Sequence, residues 1–292
     1  MMKHKNFGVF ILTHGRPDNV ETIKLLKSIH YSGKIYLIMD DEDTTIEKYK
    51  KNFKNDKNIK FFIFSKKDSI CDLGDNSGKR NVVIFARNKC FDIANELGLD
   101  YFLELDDDYS EIQYKIPDKD KLRAISIKNK NIGDELFDAY LDFLDSDERI
   151  KCIAMSQGGD FIGGNENKYT YKGLTRKVMN SFFCKVDRPW KFYGRINEDT
   201  TAYVVNGFRG DLFFSYTKNA VIQKDTQSNK GGLTDFYLNT GTYYKSFMSV
   251  IFSPSSVKVG LMGRTDLRFH HKIDWNSTTP KIINEKYKKK GV

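Results

Sequence analysis

The chain has 292 residues, of which 39% are hydrophobic, 30% charged and 14% aromatic, with a formal net charge of +9. This much apolar material excludes a disordered chain, and the length fits one elaborated α/β domain spanning 1–292. The longest early apolar run, Phe7 to Leu12, is far shorter than the roughly 20 residues of a membrane span, so a cytoplasmic protein without a membrane partner is expected.

In chain order, Asn6 to Leu12 reads as a buried strand that leaves into Thr13-His14-Gly15-Arg16-Pro17. Asp18 is a candidate cap for a helix in which Val20, Ile23, Leu26 and Ile29 recur at near-helical spacing up to Gly33. Lys34 to Met39 is a second strand, ending in Asp40-Asp41-Glu42-Asp43. Thr45 to Phe53 reads as a helix and Ile59 to Phe64 as a third strand. Val82 to Leu97 is a helix with Val83, Phe85, Ala86, Cys90, Ile93, Ala94 and Leu97 on one face and Gly98 stopping it. Tyr101 to Leu105 is a strand that delivers Asp106, Asp107 and Asp108 at its carboxyl end. Beyond about Asp120 only a helix near Asp134 to Leu144 and a strand near Cys152 to Met155 stand out.

Strands alternating with helices predict a mostly parallel, Rossmann-like central sheet with ligands bound beyond the carboxyl ends of its strands. Residues 1–120 then form a nucleotide-binding half and 121–292 a less regular acceptor half. Cys71, Cys90, Cys152 and Cys184 lack metal-type or Cys-x-x-Cys spacing and read as free thiols. The positive balance, with Lys-rich stretches from Lys48 to Lys60 and from Lys281 to Lys290, fits a polyanionic partner or, equally, solvated faces.

Three successive carboxylates repel one another and call for a compensating cation or good exposure. Asp106 and Asp108, two apart, can approach one hard divalent ion that also holds diphosphate oxygens, although an acidic turn capping the next element is the plain alternative. Arg16, Lys79, Arg80 and Arg87 suit phosphate; for Arg87 the competing reading is an ion pair to a nearby aspartate.

The strand ending in Thr13-His14-Gly15-Arg16-Pro17, the acidic end of the second strand, Ala86-Arg87-Asn88 and Leu105-Asp106-Asp107-Asp108 together resemble the GT-A glycosyltransferases, chiefly over the first 110 residues. More narrowly, the chain resembles the phage TET-associated glycosyltransferases, which decorate hydroxymethylated pyrimidines in DNA. The resemblance implies a nucleotide-sugar donor such as a UDP-sugar, with Thr13, His14 and Arg16 near the nucleotide and Asp40 near the base. It also implies that Asp106 and Asp107 face the donor, and that Asp106 and Asp108 hold Mn2+ or Mg2+.

In inverting GT-A enzymes a Glu-Asp pair comparable to Glu198-Asp199 supplies the base that deprotonates the acceptor hydroxyl, with Asp199 favoured here and Glu198 second. Capping the following helix is compatible with that role. GT-A enzymes often give the metal a late histidine, which makes His270, or its neighbour His271, a candidate ligand. The loops Ser156 to Asn165 and Gln227 to Leu233 fit either ligand wrapping or plain connection. Trp190, Phe192 and Tyr193, beside Arg188 and Arg195, fit either base stacking or core. DNA is the expected acceptor. A polysaccharide, protein or small glycan acceptor, a nucleotidyltransferase and a non-catalytic nucleic-acid-binding protein remain as alternatives.

Overall fold

The computed structural model describes residues 2–118, 121–161, 173–223, 234–263, 267–282, 285 and 288, with side chains described except at 121 and 234–241. The elements run β1 (Phe7–Leu12), α1 (Glu21–Ser28), β2 (Lys34–Asp40), α2 (Ile46–Phe53), β3 (Ile59–Phe64), α3 (Ile84–Glu96) and β4 (Tyr101–Asp106). There follow β5 (Tyr109–Asp118), β6 (Lys121–Ser126), α4 (Gly133–Asp145), β7 (Ile150–Ser156), β8 (Leu174–Thr175) and β9 (Ser181–Lys185). The last are α5 (Glu198–Gly207), β10 (Leu212–Gln223), α6 (Thr234–Phe252), β11 (Val257–Met262) and β12 (Arg268–Ile273).

Ten strands form one sheet in the order β3-β2-β1-β4-β9-β7-β10-β5-β6, with β8 paired to β10. Strands β1 to β4 are mutually parallel where they pair, β9 runs against both β4 and β7, and β7 and β10 are parallel. Most long strands therefore share one direction, and the expected α/β class with a mostly parallel central sheet is what the chain forms.

Strand β1 reads FGVFIL without alternation because it is covered on both faces, and all six residues are buried. Val9 and Ile11 join one apolar layer with Leu26, Leu37, Phe137, Leu141 and Phe183. Phe10 and Leu12 join the opposite layer with Ile38, Ile93, Phe102, Phe182 and Trp190. Trp190 and Phe192 are thus core, which resolves the choice between base stacking and packing. Arg188 donates to the carbonyls of Leu144, Asp147 and Ile150, a structural role. All four cysteines are free thiols.

Chain order fixes where a ligand can enter. From β1 the chain builds outward through β2 to β3, then α3 carries it back to place β4 on the other flank of β1. The strand order reverses between β1 and β4, and the crevice beyond their carboxyl ends is the topological switch point of such a sheet. Leu12 pairs with Asp106 across this boundary, so Thr13 and the Asp106–Asp108 triplet emerge side by side.

Asp18 does not cap α1: the helix starts after Val20, and Asp18 instead takes Lys48 and Asn52. Gly98, just past α3, has φ +66, the left-handed geometry that ends a helix at little cost for glycine. Among the described residues the second half contains six strands, β6 and β8 to β12, and helix α6 that the apolar pattern does not announce. The loop Gln227 to Leu233, and the part of the Ser156 to Asn165 loop beyond Phe161, lie outside the described residues. Among the described residues no helix is long and apolar enough to cross a membrane.

Phe183 on β9 is fully buried, stacked on Tyr140 at 4.4 Å and edge-on to Phe137 at 5.5 Å. Phe183→Ala should lower stability by about 3–5 kcal/mol, read as a fall in the midpoint of chemical denaturation; a loss below about 1 kcal/mol would mean this aromatic layer is not a packed core.

Candidate active site

The loop after β1 is locked by three carboxylates. The Arg16 amide donates to the Tyr49 hydroxyl at 2.7 Å, Tyr49 lies 2.7 Å from the Thr13 hydroxyl, and Thr13 donates to Asp107 Oδ2 at 2.7 Å. Arg16 closes the ring with a 2.9 Å ion pair to Asp107 Oδ1. Asp43 accepts the Gly15 amide at 2.8 Å, and Gly15 adopts φ +70, a conformation that suits glycine. Asp40, at the end of β2, lies 2.8 Å from His14 Nδ1 and 2.8 Å from the buried Lys66 Nζ. Burial works against the Asp40 charge, but the hydrogen bonds from His14 and Lys66 prevail and hold its carboxyl down at about 2. The same contact raises the His14 pKa.

These contacts sort the expected donor residues by what they leave open. Thr13, Asp40 and Asp107 are buried and spent on neighbours, so they shape the loop. His14 and Arg16 keep side chains 55% and 26% exposed at the crevice. Lys79 is exposed on the loop before α3, whereas Arg80 lies over the Phe85 ring and donates to the Ser69 carbonyl.

The centre of the crevice is a buried ionic cluster. Arg87 of α3, 2% exposed, bonds Glu104 at 2.5 Å, Glu198 at 3.0 Å and Asp106 at 3.2 Å, with Asn180 accepting at 3.3 Å. This corrects the phosphate reading of Arg87: its donors are committed to protein acceptors, and its charge is needed inside. Glu104 escaped the sequence reading, although its signal was there, since a charge inside the apolar run Tyr-Phe-Leu-Glu-Leu demands a buried partner.

One guanidinium cannot neutralise three carboxylates. Burial raises Glu104 to about 7 despite Arg87, and burial with the nearby Asp108 and Glu198 charges raises Asp106 to about 6. Glu198 is likewise raised, by burial and by Asp199.

Asp108 accepts from Gln223 at 3.2 Å through Oδ2, while its Oδ1 is buried with no hydrogen-bond partner. A buried carboxylate oxygen without a donor is costly and fits a missing cation. Among the described residues no three His, Cys, Asp or Glu side chains cluster as ligands. A divalent ion held by one or two carboxylates, with diphosphate and water oxygens completing its shell, needs no such cluster. Asp108, with the partly exposed Asp106, fits that design.

Asp199 sits with Glu198 in the first turn of α5, inside the helix, not as its cap; Asn197 precedes it at φ 60. Asp199 accepts the Thr200 amide at 2.7 Å and makes no ion pair among the described residues, unlike Glu198. The start of α5 is pinned by Asn197 to Ser249 of α6 at 2.7 Å, and by Arg195 just upstream. Arg195 grips Asp75 at 2.5 and 2.9 Å and the Lys79 carbonyl at 2.6 Å, and Tyr244 donates to Asp75. Arg195 therefore ties the loop before α3 to the acid pair and does not stack on a base.

His270 lies on β12, with its ring 4.3 Å from that of His271. Burial first, then the charges of Arg268, Lys245, Lys272 and Lys177, lower its pKa. His271 lies 3.3 Å from Asn197, with its pKa pushed down to about 3 by burial and His270.

The Asp106–Asp108 carboxylates at the switch point of the sheet and the Glu198-Asp199 pair of α5 are thus joined through Arg87. A family model described as TET-Associated Glycosyltransferase matches residues 7–232, and the chain belongs to that family. No curated protein matches the sequence. Among solved structures the chain is similar to the crystal structure of GalNAc-T7 with UDP, GalNAc and Mn2+, at a TM-score of 0.45 and 10% identity. That match covers 84% of this chain and 50% of the other, so the chain spans half the length of that protein.

Because Glu104 is raised from 4.5 to about 7 in the fold, the folded state holds a proton that the unfolded chain releases. Its stabilising contribution is complete below about pH 4.5 and is lost as pH rises through about 7. The metal-free protein should lose stability across that window, and Glu104→Gln should flatten the slope in urea titrations at several pH values. An unchanged slope would place the titration elsewhere.

Proposed function

We propose that the protein transfers a sugar from a nucleotide-sugar donor, such as a UDP-sugar, to 5-hydroxymethylpyrimidine in phage DNA, with a divalent cation and inversion at the anomeric carbon. The observation that carries this reading is the unpartnered Asp108 Oδ1 at the switch point, beside an acid pair of which Asp199 alone makes no ion pair among the described residues. Family membership supports the transfer chemistry, and the net charge of +9 supports a polyanionic acceptor. That acceptor goes with a cytoplasmic site of action, in the host where the gene is a phage's.

A bound Mn2+ or Mg2+, which Asp108 and Asp106 would hold, supplies positive charge against the departing nucleoside diphosphate. His14 and Arg16 at the rim bind the nucleotide and its phosphates, with Lys79 on the opposite loop. Asp199 takes the proton of the acceptor hydroxyl as its oxygen bonds to the anomeric carbon and the bond to diphosphate breaks. Glu198, fixed on Arg87, holds the first turn of α5 in place.

Purified protein with Mn2+ or Mg2+, a panel of nucleotide sugars, and DNA with or without 5-hydroxymethylpyrimidine should give a hexose or pentose mass gain on the modified DNA alone. Asp199→Asn should lower kcat by about 10²–10⁴-fold with donor binding little changed, and Asp108→Ala should abolish the metal dependence. Donor hydrolysis without transfer to DNA would move the acceptor to a glycan or protein. No metal-dependent turnover of any donor would overturn the reading entirely.

A further inference from the structure

Residues 233–292 carry ten Lys and Arg against four Asp and Glu, so six of the nine excess positive charges fall in the last sixty residues, beyond the family match. The antiparallel ribbon of β11 and β12 sorts part of this charge onto one side. Its register pairs Lys258 with Lys272, Gly260 with His270 and Met262 with Arg268, and side chains alternate between faces along each strand. One face therefore carries Lys258, Arg268, His270 and Lys272 and, among the described residues of the two strands, no acid. The other carries Val257, Val259, Leu261, Phe269 and His271, with Phe269 against Tyr243 and Phe247 of α6 at 5.6 and 6.4 Å.

The basic face is built against its own electrostatics. Lys258, Arg268 and Lys272 are exposed, and Lys258 and Lys272 stand directly opposite each other, an arrangement that destabilises a strand pair unless an anion relieves it. The Lys272 side chain lies across Gly260, close enough that a Cβ there would meet its Nζ at 2.8 Å. Asp274, just past β12, accepts from Ser277 at 2.9 Å and also lies in the field of Lys258. Arg268 and Lys272 both act on His270, which lies between them on β12.

The ribbon is also continuous with the candidate site. His271 reaches Asn197, the residue before Glu198-Asp199, and Asn197 is held by Ser249 of α6. A two-stranded ribbon fits the major groove, about 12 Å wide, and a substituent on C5 of a pyrimidine projects into that groove.

We propose that the β11–β12 ribbon is the element that docks duplex DNA, with Lys258, Arg268 and Lys272 on its phosphates and the basic face toward the major groove. The inference rests on DNA being the acceptor and adds where the duplex is held. Such contacts release counterions, so binding through them falls steeply with salt.

The test compares Lys258→Gln/Arg268→Gln/Lys272→Gln with a control of equal charge loss on the exposed lysines at and after α2, Lys51→Gln/Lys54→Gln/Lys57→Gln. Each is titrated with a short unmodified duplex by fluorescence anisotropy over a salt series, with circular dichroism to show folding. The ribbon variant should bind at least about tenfold more weakly than wild type, with the slope of log K against log salt shallower by about 2–3, whereas the control stays within about threefold. If the triple variant does not fold, Lys258→Gln alone, which removes one member of the like-charge pair, should reduce the slope by about 1. Sugar transfer to hydroxymethylated duplex by wild type separates the two readings. Transfer with a ribbon variant that binds like the control overturns the ribbon and leaves the acceptor, while wild type that neither binds nor modifies DNA overturns both.

Discussion

Three carboxylates converge on the guanidinium of Arg87, and the geometry of the crevice depends on that contact. Glu104 and Asp106 come from β4, Glu198 from α5, Arg87 from α3 and Asn180 from the segment entering β9, so one side chain joins four parts of the chain. A buried ion cluster of this kind is weak evidence for stability, because desolvation opposes it. Its value lies in specificity. Any shift of α5 against the sheet would strand at least one buried carboxylate, so the helix that bears Asp199 is held at a set depth.

The same cluster bears on the cation proposed beside it. With three acids on one base, the excess negative charge is met partly by protonation, seen in the raised Glu104 and Asp106, and is left open at Asp108 Oδ1. A divalent ion beside Asp106 and Asp108 would favour the ionised forms. Metal binding and proton release are therefore coupled in this site by charge balance alone.

How much of this was legible in the sequence depended on whether the signal was local. Strand β1, helix α3 and strand β4 were readable because each is a continuous apolar or periodic run within one face of packing, and the switch-point position of Thr13 and the aspartates followed from their order. Strands β9 and β10 were not. Phe183 meets Leu103 some eighty residues away, and β10 pairs with three partners through register shifts that blur its alternation. Arg87 stood as either phosphate ligand or ion pair, because spacing does not reveal which way a guanidinium points. The adjacent histidines illustrate the same limit: their rings lie 4.3 Å apart on β12, and His271 meets Asn197. That was readable only once β12 was known to be a strand.

Charge in this protein is segregated, with acid at the crevice and base on the outlying ribbon, and the two arrangements serve opposed needs. In the proposed reaction a nucleotide sugar would bring two phosphates into a site that already holds an excess of carboxylates, and Arg16, His14 and a cation would oppose that charge. An acceptor polyanion would be repelled by that same centre. Screening at physiological salt confines each field to about 8 Å, so a basic face on separate strands can attract a duplex without neutralising the carboxylates on which proton transfer depends. The link between them is mechanical: His271, Asn197 and Ser249 join the ribbon and α6 to the first turn of α5.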